Sequence, residues 1–187
     1  MAKLIIFSAP SGSGKTTIVK ELLKIFPQFE FSISATSRAP RGQEQNGVDY
    51  FFLSQEEFQA KVKADEFVEW EEVYNGTCYG TLKSEMERIW SKGNVIIFDV
   101  DVMGGINLKR IFGENACSIF IMPPSVEVLR ERLIGRGTDS AETIEKRVAK
   151  AAFEISKADE FDNIVINDIL ADAVAQTKVI IEEFLAK

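Results

Sequence analysis

The sequence contains no histidine, only two cysteines and no long apolar run. The lack of histidine removes the commonest general base, the commonest metal ligand and every Ser-His triad. Cys78 and Cys117 have no metal-ligand spacing, so we interpret them as free thiols in a reducing cytoplasm. The apolar runs, such as residues 95–98, fall far short of the roughly 20 residues that cross a membrane. The first run begins at Leu4, which leaves no room for a signal peptide, and we expect no membrane partner.

Basic charge is also scarce, since 22 lysines and arginines face 29 acidic residues and give a net charge of −7. A nucleic-acid surface needs clustered basic charge, so we expect no nucleic-acid partner. The arginines nevertheless fall into two groups, one at Arg38 and Arg41 and one within residues 130–147. This grouping indicates small anionic ligands held at defined points, although Arg130 is better interpreted as a helix-surface residue.

Apolar runs alternate with helical patterns along most of the 187 residues, a length that suits one domain with a good core. Continuous apolar runs of this kind are typical of strands buried on both faces of a parallel sheet with helices around it. The runs lie at residues 3–7, 95–98, 117–122 and 164–166.

Two stretches depart from this alternation. Residues 36–79 are polar and alternating, with a capping-box pattern at Ser54, which predicts a small, mostly antiparallel insert containing one short helix. Residues 125–158 contain two charged helical segments that meet at Gly135-Arg136-Gly137. Because glycine gives the backbone extra freedom, we interpret this second stretch as a mobile helical lid.

The stretch SAPSGSGKTT, residues 8–17, nearly matches the phosphate-loop pattern G-x-x-x-x-G-K-[ST]. Gly14, Lys15 and Thr16 are in place between a predicted strand and a predicted helix, but the first glycine position holds Ala9. The backbone N–H groups and the helix N-terminus would bind phosphate, Lys15 would reach the β- and γ-phosphates, and the Thr16 hydroxyl would bind magnesium. Ala9 matters only if its position requires a positive φ, so we interpret the loop as a working nucleotide site.

Asp99 follows the apolar run at residues 95–98. An acidic residue at the carboxyl end of a buried parallel strand lies beside the phosphate loop, where magnesium binds. A turn or helix-capping aspartate is the alternative interpretation. Asp101 follows two residues later and is expected to face the same crevice.

Seven motifs occur in order along the chain, and together they resemble the guanylate kinase family across essentially the full length. They are Ser8-Ala9-Pro10-Ser11-Gly12-Ser13-Gly14-Lys15-Thr16, Ser34-x-x-x-Arg38-x-x-Arg41, Gly47-x-Asp49-Tyr50-Phe51-Phe52, Tyr79-Gly80-Thr81, Asp99-Val100-Asp101, Gly135-Arg136-Gly137 and Val165-Ile166-Asn167-Asp168. The resemblance implies an α/β, P-loop NTPase-type three-layer fold with a central parallel β-sheet, a small mixed or antiparallel GMP-binding insert and a helical lid. The core would be residues 1–36, 83–124 and 159–187, the insert residues 37–82 and the lid residues 125–158.

The resemblance further implies transfer of the γ-phosphoryl group of ATP to GMP with Mg²⁺, with dGMP as a second candidate acceptor, by a cytoplasmic monomer or homodimer. The residues implied for ATP binding are Ala9, Pro10, Ser11, Gly12, Ser13, Gly14, Lys15, Thr16, Thr17, Arg132 and Asn167, the last near the adenine. Those implied for GMP binding are Ser34, Arg38, Arg41, Tyr50, Glu69, Tyr79, Thr81, Asp99 and Asp101. The implied catalytic residues are Lys15, Arg38, Arg132, Arg136 and Arg147, and the magnesium ligands are Thr16 and Asp99. Alanine at position 9 is, by the same resemblance, an accepted variant.

Within this set, four residues would hold the GMP phosphate, namely Arg38, Arg41, Tyr50 and Tyr79. Four others would read or orient the guanine, namely Ser34, Glu69, Thr81 and Asp101. An ionised glutamate accepts both the N1–H and the N2–H₂ group of guanine, whereas adenine presents an acceptor at N1. Taken alone, Glu69 would be interpreted as an exposed strand residue beside Glu71 and Glu72, but the neighbouring motifs favour the guanine role.

Two alternatives stay open from the sequence. The chain would be a phosphate-loop kinase for another nucleoside monophosphate if the loop binds ATP but Glu69 does not read guanine. A guanylate-kinase-like interaction module would typically lack an intact phosphate loop, whereas Lys15 and Thr16 are present here. Cys78 and Met103 depart from the usual family pattern at positions that would tune acceptor affinity.

Overall fold

A computed structural model describes residues 3–74, 76–135, 137 and 140–187. The strands within these residues are β1 (Leu4–Ser8), β2 (Phe29–Phe31), β3 (Ala35–Thr36), β4 (Phe51–Phe52), β5 (Phe67–Tyr74), β6 (Thr77–Leu82), β7 (Val95–Asp99), β8 (Ala116–Met122) and β9 (Asn163–Ile166). The helices are α1 (Lys15–Ile25), α2 (Gln55–Lys63), α3 (Lys83–Trp90), α4 (Val102–Phe112), α5 (Val126–Gly135), α6 (Ala141–Ile155) and α7 (Leu170–Ala186). Two short 3₁₀ helices lie at Gly113–Asn115 and Ala158–Glu160. No helix in the described ranges is long and apolar enough to cross a bilayer.

The larger sheet has the strand order β2-β7-β1-β8-β9. β1 pairs in parallel with β8, from Leu4 opposite Ala116 to Ser8 opposite Phe120, and β8 pairs in parallel with β9. All five residues of β1 are buried, as expected for a strand with neighbours on both sides and helices above and below. The apolar runs therefore predicted this sheet correctly. Its remaining strand, β2, is only three residues long and was not predicted.

The chain divides into two compact units, one formed by Met1–Phe29 and Ile97–Lys187 and the other by Glu30–Ile96. In the first unit, a buried apolar cluster joins α4, β8 and the segment before β9. Its members are Val102, Ile106, Phe120, Ala158 and Phe161. α4 lies so close to β1 that a Cβ at Gly105 would fall 2.4 Å from Ser8 Oγ, and this contact requires glycine.

The predicted lid segment forms two helices, α5 and α6, which belong to the first unit. They pack through a separate cluster of Leu129, Leu133, Ile144, Val148 and Ala151. Ser140 caps α6 by accepting a hydrogen bond from the Thr143 backbone N–H. Arg136, which was predicted to be catalytic, lies outside the described residues. The boundaries of core, insert and lid remain predictions.

The second unit contains a mixed sheet with the strand order β4-β3-β6-β5. β3 and β4 are parallel, whereas β6 is antiparallel to both β3 and β5, so the predicted insert is mixed. The predicted capping box is confirmed, because Ser54 Oγ accepts from the Glu57 N–H and the Glu57 carboxylate accepts from the Ser54 N–H. The core of this unit is Ala35, Phe58, Phe67, Cys78 and Leu82.

Both cysteines are unpaired and buried. Burial raises the pKa of the Cys117 thiol to about 12, so almost no thiolate is present at neutral pH. We expect native protein to react with a thiol-specific colorimetric reagent at least roughly 100-fold more slowly than protein unfolded in guanidinium. Unfolding should release two equivalents of the reagent's chromophore per protein molecule. Rapid release of the chromophore from native protein would contradict the burial of these side chains.

Candidate functional site

The loop between β1 and α1 adopts left-handed backbone angles at two glycines, with φ of 99° at Gly12 and 86° at Gly14. Among the non-glycine residues that the structure describes, only Asp65 has a positive φ. Ala9 therefore occupies ordinary backbone space, and the alanine at the first position of the motif carries no conformational strain. Ala9 would have mattered only if its position required a positive φ, and it does not.

The start of α1 presents the features of an anion site. Gly14 is the N-cap residue and offers no side chain, and Ser13 N–H turns back to the Pro10 carbonyl at 3.1 Å. Ser13 Oγ is buried and has no hydrogen-bond partner within the described part of the chain. Because the first N–H groups of a helix lack intrahelical acceptors and carry the positive end of the helix dipole, this end attracts phosphate.

Lys15 and Asp99 meet at the carboxyl end of β7. The Lys15 ammonium forms an ion pair with the Asp99 carboxylate and also donates to the Val100 carbonyl at 2.9 Å. Thr16 is exposed in the first turn of α1. A hydroxyl and a carboxylate are hard oxygen ligands of the kind that Mg²⁺ prefers, so Thr16 and Asp99 fit this ion by their chemistry.

The helix-capping role considered for Asp99 belongs instead to Asp101. Its Oδ1 accepts a hydrogen bond of 2.7 Å from the Gly104 N–H at the start of α4, and its carbonyl accepts from Ser8 Oγ. Asp99 and Asp101 both belong to the first unit, whereas the other seven residues predicted for GMP binding belong to the second.

Asn167 has a contact that the sequence pattern did not reveal. Its side chain is buried and its Nδ2 donates to the Ser13 carbonyl at 2.6 Å, which ties the end of β9 to the phosphate loop. The Asn167 carbonyl in turn accepts from Arg132 Nη2 at 3.0 Å. Arg147 reaches the loop directly, through a 3.2 Å hydrogen bond to Ser11 Oγ. Arg130, by contrast, pairs on the surface with Glu145, as its helix-surface interpretation expected.

We expect Asn167→Ala to raise the KM for ATP by roughly 10- to 100-fold, because the buried Ser13 carbonyl would lose its partner. If the amide acts through the loop, the KM should rise by the same factor for ATP and for GTP as phosphoryl donors. The KM for the acceptor should stay constant. Steady-state kinetics with both donors measures this, with Asn163→Ala on the same strand as the matched control. A loss confined to ATP would instead support the predicted contact with adenine.

The second unit gathers the predicted phosphate ligands around Arg38. Arg38 Nε donates to the Tyr79 hydroxyl at 3.2 Å, and its guanidinium lies 5.0 Å from the centre of the Tyr50 ring and 5.5 Å from that of Phe52. The Tyr50 and Tyr79 rings are themselves 6.0 Å apart, edge to face. A cation held over aromatic rings and beside a phenol is placed rigidly, which suits recognition of a phosphate.

Glu69 and Thr81 face each other across β5 and β6. They form a registered pair, and Thr81 Oγ1 donates to Glu69 Oε1 at 2.8 Å. Thr81 is fully buried, so this contact holds the carboxylate in one orientation. Gly80 of β6 pairs with Trp70 of β5, and a Cβ at this glycine would be 2.8 Å from the Glu69 carbonyl. Ser34 contributes its carbonyl to Phe51 N–H, and Arg41 is exposed.

Comparison with known proteins decides the family. The guanylate kinase family model matches residues 1–184. The guanylate kinases of Bacteroides thetaiotaomicron and Porphyromonas gingivalis are each 55% identical to this chain, over 99% and 100% of it and 91% and 100% of their own lengths. The chain belongs to the guanylate kinase family.

The solved structures agree with this assignment. The crystal structure of guanylate kinase from Anaplasma phagocytophilum superposes with a TM-score of 0.76 at 30% identity, covering 97% of this chain and 85% of that one. The resemblance drawn from the seven motifs is therefore confirmed, together with the P-loop NTPase-type fold. Because the relatives at 55% identity over the full chain are guanylate kinases, the chain is an ATP:GMP phosphotransferase rather than a binding module.

Proposed function

We propose that this protein transfers the γ-phosphoryl group of ATP to GMP with the two clusters of residues described above. The observation that carries the proposal is the phosphate loop, in which Lys15 and Thr16 stand at an uncapped helix start in a member of the guanylate kinase family. The family's reaction is this ATP:GMP phosphotransfer, which yields ADP and GDP.

The donor cluster lies in the first unit. The loop, residues 9–17, binds the ATP phosphates through its backbone N–H groups, and Lys15 exchanges its contact with Asp99 for the β- and γ-phosphates. Arg132 and Arg147, together with Arg136, supply positive charge to the transferring group. Like charges about 4 Å apart cost roughly 4 kcal/mol at an effective dielectric near 20, and guanidinium groups offset this repulsion.

Magnesium is the cofactor that the family generally needs, and Thr16 with Asp99 would hold it. When bound, the ion neutralises phosphate charge and orients the polyphosphate chain. Release of Asp99 from Lys15 is what frees its carboxylate for this role. The site thus uses one carboxylate plus substrate phosphates, which is the usual way in which proteins bind Mg²⁺.

The acceptor cluster lies in the second unit. Arg38, Arg41, Tyr50 and Tyr79 hold the GMP phosphate, while Glu69 accepts from guanine with Thr81 as its support. None of these roles involves the ribose 2′-hydroxyl, so dGMP should also be an acceptor. With a second pKa near 6, the phosphate is largely ionised at pH 7, so it needs no general base and the lack of histidine is no obstacle.

The two buried, unpaired cysteines fit a reducing compartment, and we place the enzyme in the cytoplasm. We expect it to act as a monomer or a homodimer, which sedimentation at several concentrations would distinguish.

The test is phosphoryl transfer from Mg-ATP to a panel of GMP, dGMP, AMP, CMP, UMP and dTMP. We expect strong transfer to GMP and dGMP alone. Transfer to another base would keep the role of the loop and refute the role of Glu69. No transfer to any acceptor would refute the proposed function.

A further inference from the structure

Glu44 belongs to none of the seven motifs, yet it makes three charge-assisted hydrogen bonds in the second unit. Its two carboxylate oxygens accept from Arg38 Nη1 at 2.6 Å and Nη2 at 2.8 Å, a bidentate pair. The same carboxylate accepts from the Arg41 backbone N–H at 2.8 Å. Glu44 therefore binds both parts of the Arg38–Arg41 motif at once.

Arg38 has five N–H donors, and the contacts of this cluster use four of them. Nε donates to Tyr79, Nη1 to both Ala39 and Glu44, and Nη2 to Glu44. One Nη2 hydrogen has no acceptor within the described residues. Because Glu44 takes the end of the guanidinium, this remaining donor and the Tyr79 hydroxyl are the groups that Arg38 and its neighbour offer to a ligand.

We propose that Glu44 is a positioning residue for the acceptor: it fixes the Arg38 guanidinium and the Arg41 backbone so that both face the phosphate of the bound nucleoside monophosphate. This inference rests on the proposed function and deepens it, since the roles proposed above for the acceptor cluster do not include Glu44. The carboxylate itself does not touch the substrate.

The electrostatics support a permanent clamp. Hydrogen bonds from Arg38 and then from the Arg41 N–H lower the pKa of Glu44 to about 2 from an ordinary 4.5, and Glu44 in turn raises the pKa of Arg38. A carboxyl group with a lowered pKa stabilises the fold above its unfolded pKa and loses that contribution only as the pH falls towards its folded pKa. The pair is therefore fully charged over the pH range, from about 6 upwards, in which a phosphate monoester carries its second negative charge.

The opposite role is also chemically conceivable, because a carboxylate occupying Arg38 resembles a phosphate and would compete with it. The two roles predict opposite signs. If Glu44 competes, removing its charge tightens GMP binding; if it positions Arg38, the same change weakens it. Arg38 already contacts the Tyr79 hydroxyl and the rings of Tyr50 and Phe52. Glu44 binds Nη1 and Nη2 and leaves the Nε side, which faces Tyr79, unoccupied by its carboxylate.

The test is Glu44→Gln, which keeps the side-chain size and removes the charge and one of the two acceptors. We expect the KM for GMP to rise roughly 10- to 100-fold with the KM for ATP nearly unchanged. Binding of guanosine, which lacks the phosphate, should stay the same by calorimetry. Glu44→Asp should be intermediate, and Glu66→Gln, which removes the surface pair with Lys61, is the matched control.

A double-mutant cycle with Arg38→Met separates positioning from a general loss of structure. We expect Glu44→Gln to add little to the GMP defect of Arg38→Met, because Glu44 acts through that guanidinium. Fully additive effects, unchanged GMP affinity or tighter GMP binding would each overturn the proposal. Wild-type protein that fails to phosphorylate GMP would instead refute the proposed function. Calorimetry with GMP and guanosine would still test whether Glu44 positions Arg38 for the phosphate.

Discussion

Lys15→Met is expected to lower kcat/KM for GMP phosphorylation by roughly 10³-fold, because a positioned cation is removed from the transferring phosphoryl group. Methionine keeps most of the apolar stem of lysine, so the packing of the loop should survive. The Lys15 ammonium contacts Asp99 and the Val100 carbonyl in the structure, which places it at the carboxyl end of β7. The measurement is a coupled assay of ADP formation at saturating and subsaturating ATP.

The matched control is Lys20→Met, on an exposed position of the same helix. It removes the same charge from α1 without touching the loop, and its activity should stay within about twofold of wild type. A Lys15→Met enzyme that keeps a tenth or more of wild-type kcat/KM would refute the phosphate-loop role of this lysine. Stabilisation of the protein by Mg-ATP against thermal unfolding should also be lost in Lys15→Met and kept in Lys20→Met.

Glu69→Gln is expected to lower kcat/KM for GMP by roughly 10²- to 10³-fold and to narrow the preference for GMP over AMP. The Thr81 hydroxyl will still donate to the amide oxygen, so the amide NH₂ group is turned towards the ligand. That group meets the N1–H of guanine donor to donor, whereas adenine offers an acceptor at N1. Activity with AMP should therefore rise relative to GMP.

Parallel assays with GMP and AMP measure this change in preference. Glu72→Gln, three residues further along β5, is the matched control, because its amide oxygen can still accept from the Gly76 N–H. Equal losses with GMP and AMP would mean that Glu69 supports the strand and does not read the base.

The parts of the fold that were predictable are those with a local signal. Continuous apolar runs predicted four strands of the larger sheet, namely β1, β7, β8 and β9. A capping-box pattern predicted the start of α2, and both of its hydrogen bonds are present. β3 and β4 are only two residues long, too short for any periodicity to develop. They form because β3 pairs with β4 on one side and with β6 on the other, and a two-residue segment carries no sequence signal of such pairing.

The site shows the same limit. The phosphate loop, the arginines and Asn167 were visible in motifs, but the contacts that hold the loop and Arg38 in place were not. Asn167 contacts Ser13 from 154 positions away, and one asparagine after an apolar strand gives no sign of that contact. Glu44 lies only six residues from Arg38, yet in a polar loop a single glutamate is interpreted as a solvated surface residue.

The position of β1 has a consequence for synthesis on the ribosome. This first strand lies inside the larger sheet, and its partner β8 emerges more than a hundred residues later, from Leu4 to Ala116. Ser13 is separated by 154 positions from Asn167, whose amide donates to its carbonyl. Contacts between such distant segments form late, after the entropy of closing a long loop has been overcome. The contact that holds the phosphate loop is thus absent from the growing chain until β8, β9 and Asn167 have been synthesised and have left the ribosome.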